Sequence, residues 1–352
     1  MPIFSIRAFG AAAVALLGLL GLLGLLAGVN RAPPAPPAPP APAAPAHHPI
    51  IVLNSLDANI SVIDPVSFAE IRRMPTGKEP HHLYLAPNEK ILLVANALSD
   101  SFTVIDPATG TIQRTITGIS DPYQLRLSPD MRYLVTAANR LNHISIYLWQ
   151  PTNETEPVKL LGRVNAPRTP SHLAINSKST VTYSSLQDSD ELIAIDLATQ
   201  KVLWKIPVGK MPADIFLTPD DRHLFVALTG GQEVEVYDLS LPTPALIKRI
   251  PTGDGAHAFR ALGDKRHVLV SNRAGNTISR IDTETMTVVD TYPAPGGPDC
   301  MEVLADGKTL LVTSRWARKL TMIDMEKKQV VQQVPVGRSP HGVWTLDHAP
   351  RQ

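Results

Sequence analysis

ILLVANALSDSFTVIDPATGTIQRTITG, residues Ile91 to Gly118, decides the fold because its parts return along the chain. It holds a strand-forming run, ILLVAN, a second run, SFTVID, that stops on an aspartate, and a third that closes on a glycine turn. The aspartate-ended strand recurs at Asp64, Asp106, Asp196, Asp238, Asp282 and Asp324. One interval is doubled around ISIY, ending at Tyr147, where the strand survives without its acid. Glycine turns follow at Gly77, Gly118, Gly209, Gly253 and Gly337. Shortly after them a proline (Pro80, Pro122, Pro212, Pro298, Pro340) opens another apolar strand, which ends in a turn such as LSPD at Asp130 or LTPD at Asp220. The period is about 43 residues, and a period of that size marks a repeat architecture.

Each unit reads as four short strands bounded by Gly, Pro, Asp or Asn, which is the make-up of a propeller blade. Six units are complete, and the chain's ends supply the rest: a three-strand fragment, Ile51 to Arg73, and one C-terminal strand, His341 to Leu346. Joined in one sheet they make a seventh blade and remove the open edges of a linear array. The expectation is an all-β, seven-bladed β-propeller over residues 50–347, followed by a short tail, 348–352.

The strand ending in VAN, the strand ending in VID, the T-G turn and the SPD turn resemble the YVTN-type β-propeller repeat over nearly all of Ile50 to Leu346. That resemblance implies an exported or periplasmic propeller, distantly like the d-type haem domain of nitrite reductases and the propeller lactonases and lyases. A fold shared by so many activities does not choose among them.

The first 46 residues stand apart, with Arg7 and Arg31 as their only charged side chains. Ala8 to Val29 is an uninterrupted run of apolar and small residues. As a helix it would span about 33 Å, enough for a bilayer core. Residues 1–30 therefore read as a signal anchor or a cleaved signal peptide, and both place the remainder on the exported side, periplasmic or at the cell surface. Residues 31–49, RAPPAPPAPPAPAAPAHHP, favour an extended polyproline rod that would hold a domain away from a membrane.

Composition removes several functions. Without the leader's two arginines the chain carries 31 basic against 32 acidic side chains, which argues against a nucleic-acid partner held by bulk charge. A single cysteine, Cys300, excludes an internal disulfide, a Cys-rich zinc site and a CxxCH haem attachment. No GxSxG, P-loop or dinucleotide fingerprint occurs.

In a propeller the turns after the first and third strands of each blade lie on one face, and those after the second and fourth on the other. The repeated aspartates fall on the first face, where a carboxylate capping the N–H groups just ahead of it closes a turn. The contents of the other face vary from blade to blade. The residue after the glycine-turn proline is His81, Tyr123, Ser171, Ala213, His257, Asp299 or His341, and the next is His82, Gln124, His172, Asp214, Ala258, Cys300 or Gly342. Five of the chain's eleven histidines thus gather near one channel mouth. Arg273 and Arg315, at matching positions after second strands, and Arg140, one residue further on, join that face.

Guanidinium groups beside imidazoles suit an anionic small molecule. The candidate ligand site is therefore His81, His82, Tyr123, Arg140, His172, Asp214, His257, Arg273, Asp299, Arg315 and His341. His81, His257 and His341 share a register and form a candidate trio for a transition metal. Strand alternation would point His82 away from that trio. Haem, through one of the histidines, is the other cofactor the resemblance offers. Tyr84, Arg126, Phe216, Arg260, Glu302 and Trp344 are expected to line the channel below. Two functions stay open: a propeller that binds a small ligand or an envelope protein partner, and a metal- or cofactor-dependent enzyme of lyase, lactonase or oxidoreductase type.

Overall fold

The computed structural model describes residues 47–351, so the expectations for residues 1–30 and nearly all of the 31–49 rod lie outside the described residues. Among the described residues no helix is long and apolar enough to cross a membrane. They form 28 strands in seven four-stranded sheets, the expected propeller. Blades one to seven begin on inner strands Pro80–Leu85, Gln124–Leu127, Pro170–Ile175, Pro212–Leu217, Ala256–Ala261, Pro298–Val303 and Pro340–Trp344. Each inner strand packs against the one before and the one after, closing a ring. Blade seven is the expected composite: Pro340–Trp344 pairs with Ile50–Asn54, which continues into Asn59–Ile63 and Glu70–Pro75.

Strand patterns follow from position in the blade. Second strands such as Leu92–Asn96 are covered on both sides by neighbouring blades, so they are apolar and buried throughout. Outer strands such as Thr111–Thr117 face solvent on one side and alternate. The core therefore lies between blades; Leu93 and Phe102 of blade one pack with Leu125, Leu134 and Trp149 of blade two.

The sequence motifs have mechanical roles. Each recurrent aspartate caps its turn: Asp64 accepts from the Val66 and Ser67 N–H groups, Asp106 from Ala108 and Asp282 from Glu284 and Thr285. The asparagine that ends a second strand ties it to the third, as Asn96 Nδ2 donates to Ser101 Oγ and Thr103 Oγ1. At the seam Asn54 donates to Asn59 and Ser61, and its Oδ1 accepts the Gly337 N–H at 2.9 Å. Gly337 is glycine because a Cβ there would meet Asn54 Cγ at 2.5 Å. Asn54→Ala removes three bonds, two of them fully buried, and orphans an N–H, so it is expected to lower the unfolding free energy by about 2–3 kcal/mol in denaturant titrations.

Two features at the start of the inner strands were not expected. In all seven blades the residue at the entry has a positive φ: Glu79, Asp121, Thr169, Met211, Gly255, Gly297 and Ser339. In blade one the pairing with the second strand then slips, with Pro80 opposite Asn96 and Leu83 opposite Val94, so three steps on one strand match two on the other. The same slip occurs in blades three to seven. This is a bulge, and it suspends the alternation of side chains over the two residues that follow the proline.

Below that point the channel differs from expectation at two positions. Tyr84, Arg126, Phe216 and Arg260 line the central cavity. Trp344 instead packs in the core with Ile51, Leu53 and Leu92, and Glu302 is buried between the guanidiniums of Arg260 and Arg351. Arg351 reaches it because the tail lies along blade six: Leu304 bridges His348, and the Ala349 N–H donates to Val303 O. The connection 150–157 joins the third and fourth strands of blade two, His143–Trp149 and Val158–Asn165, on the aspartate-turn face.

Candidate functional site

The bulge decides what sits at the channel mouth. Because His81 and His82 occupy the two slipped positions, they do not point to opposite sides, and the expectation that strand alternation separates them fails. Their rings lie 4.8 Å apart and both meet His341, at 3.7 Å for His81 and 4.6 Å for His82. His172 stands 5.0 Å from His82 and 5.6 Å from His257, and Tyr123 stacks on His81 at 4.2 Å. The five imidazoles are at most 7% exposed, so they close the channel as a plug. Beneath the plug lies a cavity of about 330 Å³, with His82 and His172 at its inner end and Arg126, Phe216 and Phe259 along its wall.

Asp299 is the hub on the other side of the plug. Its side chain is fully buried, and it takes Arg273 Nη2 at 2.8 Å on one oxygen and Arg315 Nη1 at 3.0 Å on the other. His257 Nδ1 and His341 Nε2 stand 3.2 and 3.5 Å from it. Arg273 Nη2 also lies 2.6 Å from His257 Nε2, so that nitrogen is the acceptor and the ring proton sits on Nδ1, facing the carboxylate. Both arginines come from loops after second strands and remain 20% and 25% exposed. Asp299 balances one guanidinium, which leaves one positive charge unmatched within the bonded cluster.

Titration behaviour follows from this enclosure. Burial pushes His81, His82, His257 and His341 well below the usual imidazole range, and lowers His172 too, so the rings are neutral at pH 7. Burial alone would raise Asp299; the guanidinium charges of Arg273 and Arg315 overcome it and hold the carboxyl well below its ordinary value. Burial raises the Tyr123 phenol to about 12 and the Cys300 thiol well above its usual range, so Cys300 is no thiolate nucleophile.

The structure does not bring every candidate together. Arg140 is held at the rim by Asp121 and Glu79, at 2.7 and 2.9 Å. Asp214 is spent on the backbone, accepting the Ile215 and Phe259 N–H groups. The trio His81, His257 and His341 is not the tightest nitrogen set: ligand atoms of His81, His82 and His341 lie within 4.8 Å of one another, while His257 is drawn to Arg273 and Asp299. For haem only His82 and His172 border the cavity, while His81, His257 and His341 are enclosed in the plug and offer no face to an axial position. One feature was missed in the sequence: Trp316, Leu56, Leu98 and Leu141, on consecutive blades six, seven, one and two, all stand exposed on this face. In the repeat they fall in turns, where an apolar residue breaks no pattern.

Comparison with known proteins agrees with this architecture. The sequence pattern of the YNCE-like beta-propeller family matches residues 6–351. A seven-bladed beta-propeller protein of Mycobacterium tuberculosis is 31% identical over 96 residues, a match that spans 26% of this chain and 24% of that protein. Among solved structures, the periplasmic gluconolactonase of Pseudomonas aeruginosa superposes with a TM-score of 0.70 at 17% identity, covering 87% of this chain and 99% of that one. The dihydro-heme d1 dehydrogenase NirN gives 0.63 at 17% identity, over 88% and 77% of the two chains. A functionally unknown protein from Desulfotomaculum acetoxidans gives 0.72 at 15%, over 87% and 100%. At these identities the likeness is one of fold.

Proposed function

The chain belongs to the YNCE-like β-propeller family, and from that premise we propose that it is an exported propeller that binds a small anionic ligand at the His/Arg mouth of its channel. In this reading residues 1–30 direct export or anchor the chain in the membrane, residues 31–49 are the stand-off, and residues 50–347 are the binding domain with 348–352 as its tail. The observation that carries the proposal is the pair of guanidiniums fixed by one buried carboxylate, with unmatched positive charge and solvent access. Arginines locked in this way pay little ordering entropy when a carboxylate or phosphate arrives.

Titration calorimetry with inorganic phosphate and citrate tests it. Arg273→Met and Arg315→Met are each expected to weaken binding at least tenfold, the worth of a charge-assisted bond of about 1.5–3 kcal/mol. Rising salt should weaken binding as well. Unchanged affinity in both variants would remove the proposal. The exposed apolar arc over four blades favours a second reading, a protein partner on the same face.

A further inference from the structure

We propose that His81, His82 and His341 form a buried three-imidazole site for a late first-row transition ion, copper or zinc, at the closed end of the central channel. Two observations converge on these residues. Their ligand atoms already lie within 4.8 Å of one another. Bonds of about 2.0–2.1 Å to a tetrahedral ion would set the nitrogens roughly 3.3 Å apart, so modest ring rotations complete the site. The second observation is that His81 Nδ1, His82 Nε2 and His341 Nε2 are buried without any hydrogen-bond partner. Native interiors leave few such atoms, and three in contact call for a common partner.

The surroundings select among ions. The three ligands are all imidazoles; Asp299, which with Cys300 also lies near His341, is taken up by Arg273 and Arg315, and hard ions such as magnesium and calcium prefer oxygen ligands. An all-imidazole set suits copper and zinc, with copper the tighter by the usual order of divalent affinities. His341 is steadied from behind, with its Nδ1 3.5 Å from Cys300 Sγ and its carbonyl accepting the Thr313 hydroxyl at 2.6 Å. His257 does not compete, because Arg273 occupies its Nε2. His82 also faces the 330 Å³ cavity, which gives the ion an entry path and leaves its fourth position toward the channel. The site shares no arginine or carboxylate with the anion clamp, only His341 standing 3.5 Å from Asp299, and the two proposals are read by different measurements.

The test uses the full-length chain, purified without a histidine tag, stripped by chelation and loaded with Cu(II) or Zn(II) alone. About one ion per chain should survive gel filtration, and X-ray absorption should show three imidazole donors. His82→Gln and His341→Gln are expected to weaken binding by about a hundredfold, at least the loss seen when outer-shell partners of a metal are removed. His257→Gln should stay within threefold of the parent. Failure of the parent chain to retain either ion, or loss in His257→Gln but not in His82→Gln, overturns the proposal. Should His82→Gln fail to fold by circular dichroism, the donor count in the parent chain decides, and fewer than three imidazoles overturns it.

Discussion

Lowering the pH of the metal-free protein from 7.5 to 5.5 is expected to remove about 3–7 kcal/mol of unfolding free energy, read from denaturant titrations at the two pH values. The cause is the plug. His81, His82, His172, His257 and His341 are held neutral by burial, whereas in the unfolded chain they protonate near 6.5. Below that pH the unfolded state binds more protons, so stability falls as pH drops. It is fully present above about 6.5 and is lost toward the lowered folded-state values. Each ring contributes up to about 1.4 kcal/mol per pH unit. Five acting alone set the upper end, and early protonation of one or two sets the lower. The charged groups that face the rings are Arg126, Arg273 and Arg315, which oppose protonation, and Asp214 and Asp299, which favour it. Asp299 adds nothing in this window, because its own lowered value makes it lose stability only in stronger acid. Equal stability at the two pH values would mean that the rings accept protons in place, and the closed plug would be the wrong description.

Asp299→Asn is the second large effect. The amide keeps the shape and removes the charge that holds Arg273, Arg315 and the flanking rings. Two guanidiniums then face each other over a buried neutral group, and breaking a buried pair in this way costs about 3–5 kcal/mol. The arginines are a fifth to a quarter exposed, so water screens part of their repulsion and the lower half of that range is the better expectation. A double-mutant cycle locates the cause: adding Arg273→Met to Asp299→Asn should cost less than the two singles together, because the second change relieves the repulsion left by the first. Strict additivity, or a single-variant loss under 1 kcal/mol, would take Asp299 out of its place as hub.

The ring and its seam were legible because strand pattern and turn chemistry repeat, and each copy of VID, T-G and SPD reinforces the others. The candidate site was legible as a gathering of histidines and arginines, since the frame repeats while its contents vary. Its geometry was not legible. His82 was set apart from His81 by a rule that holds for a regular strand, and the entry residue in the left-handed region cancels that rule. Only two of the seven entry residues are glycine, Gly255 and Gly297, so no residue type announces the bulge. In the sequence Asp299 is one of several polar positions; its rank comes from the two loops that deliver their arginines to it. Trp344 and Glu302 had the register of channel residues, and packing by neighbouring segments placed them elsewhere.

The composite blade also fixes how the ring responds to mechanical load. Ile51 lies opposite Trp344 and Asn54 opposite Pro340, so the strand that follows the N-terminal segment and the strand that precedes the C-terminal one leave the sheet from the same end. A pull that separates the two termini meets the ladder as a zipper, one pair at a time, and never as rungs sheared together. The fork of that zipper is clasped: His48 N–H and ring both reach Asp347, at 2.7 Å each. A ring that heat must dismantle as one cooperative body is therefore openable by modest tension at a single point: once the tail has peeled from blade six, His48 and Asp347 are the latch that guards the zipper.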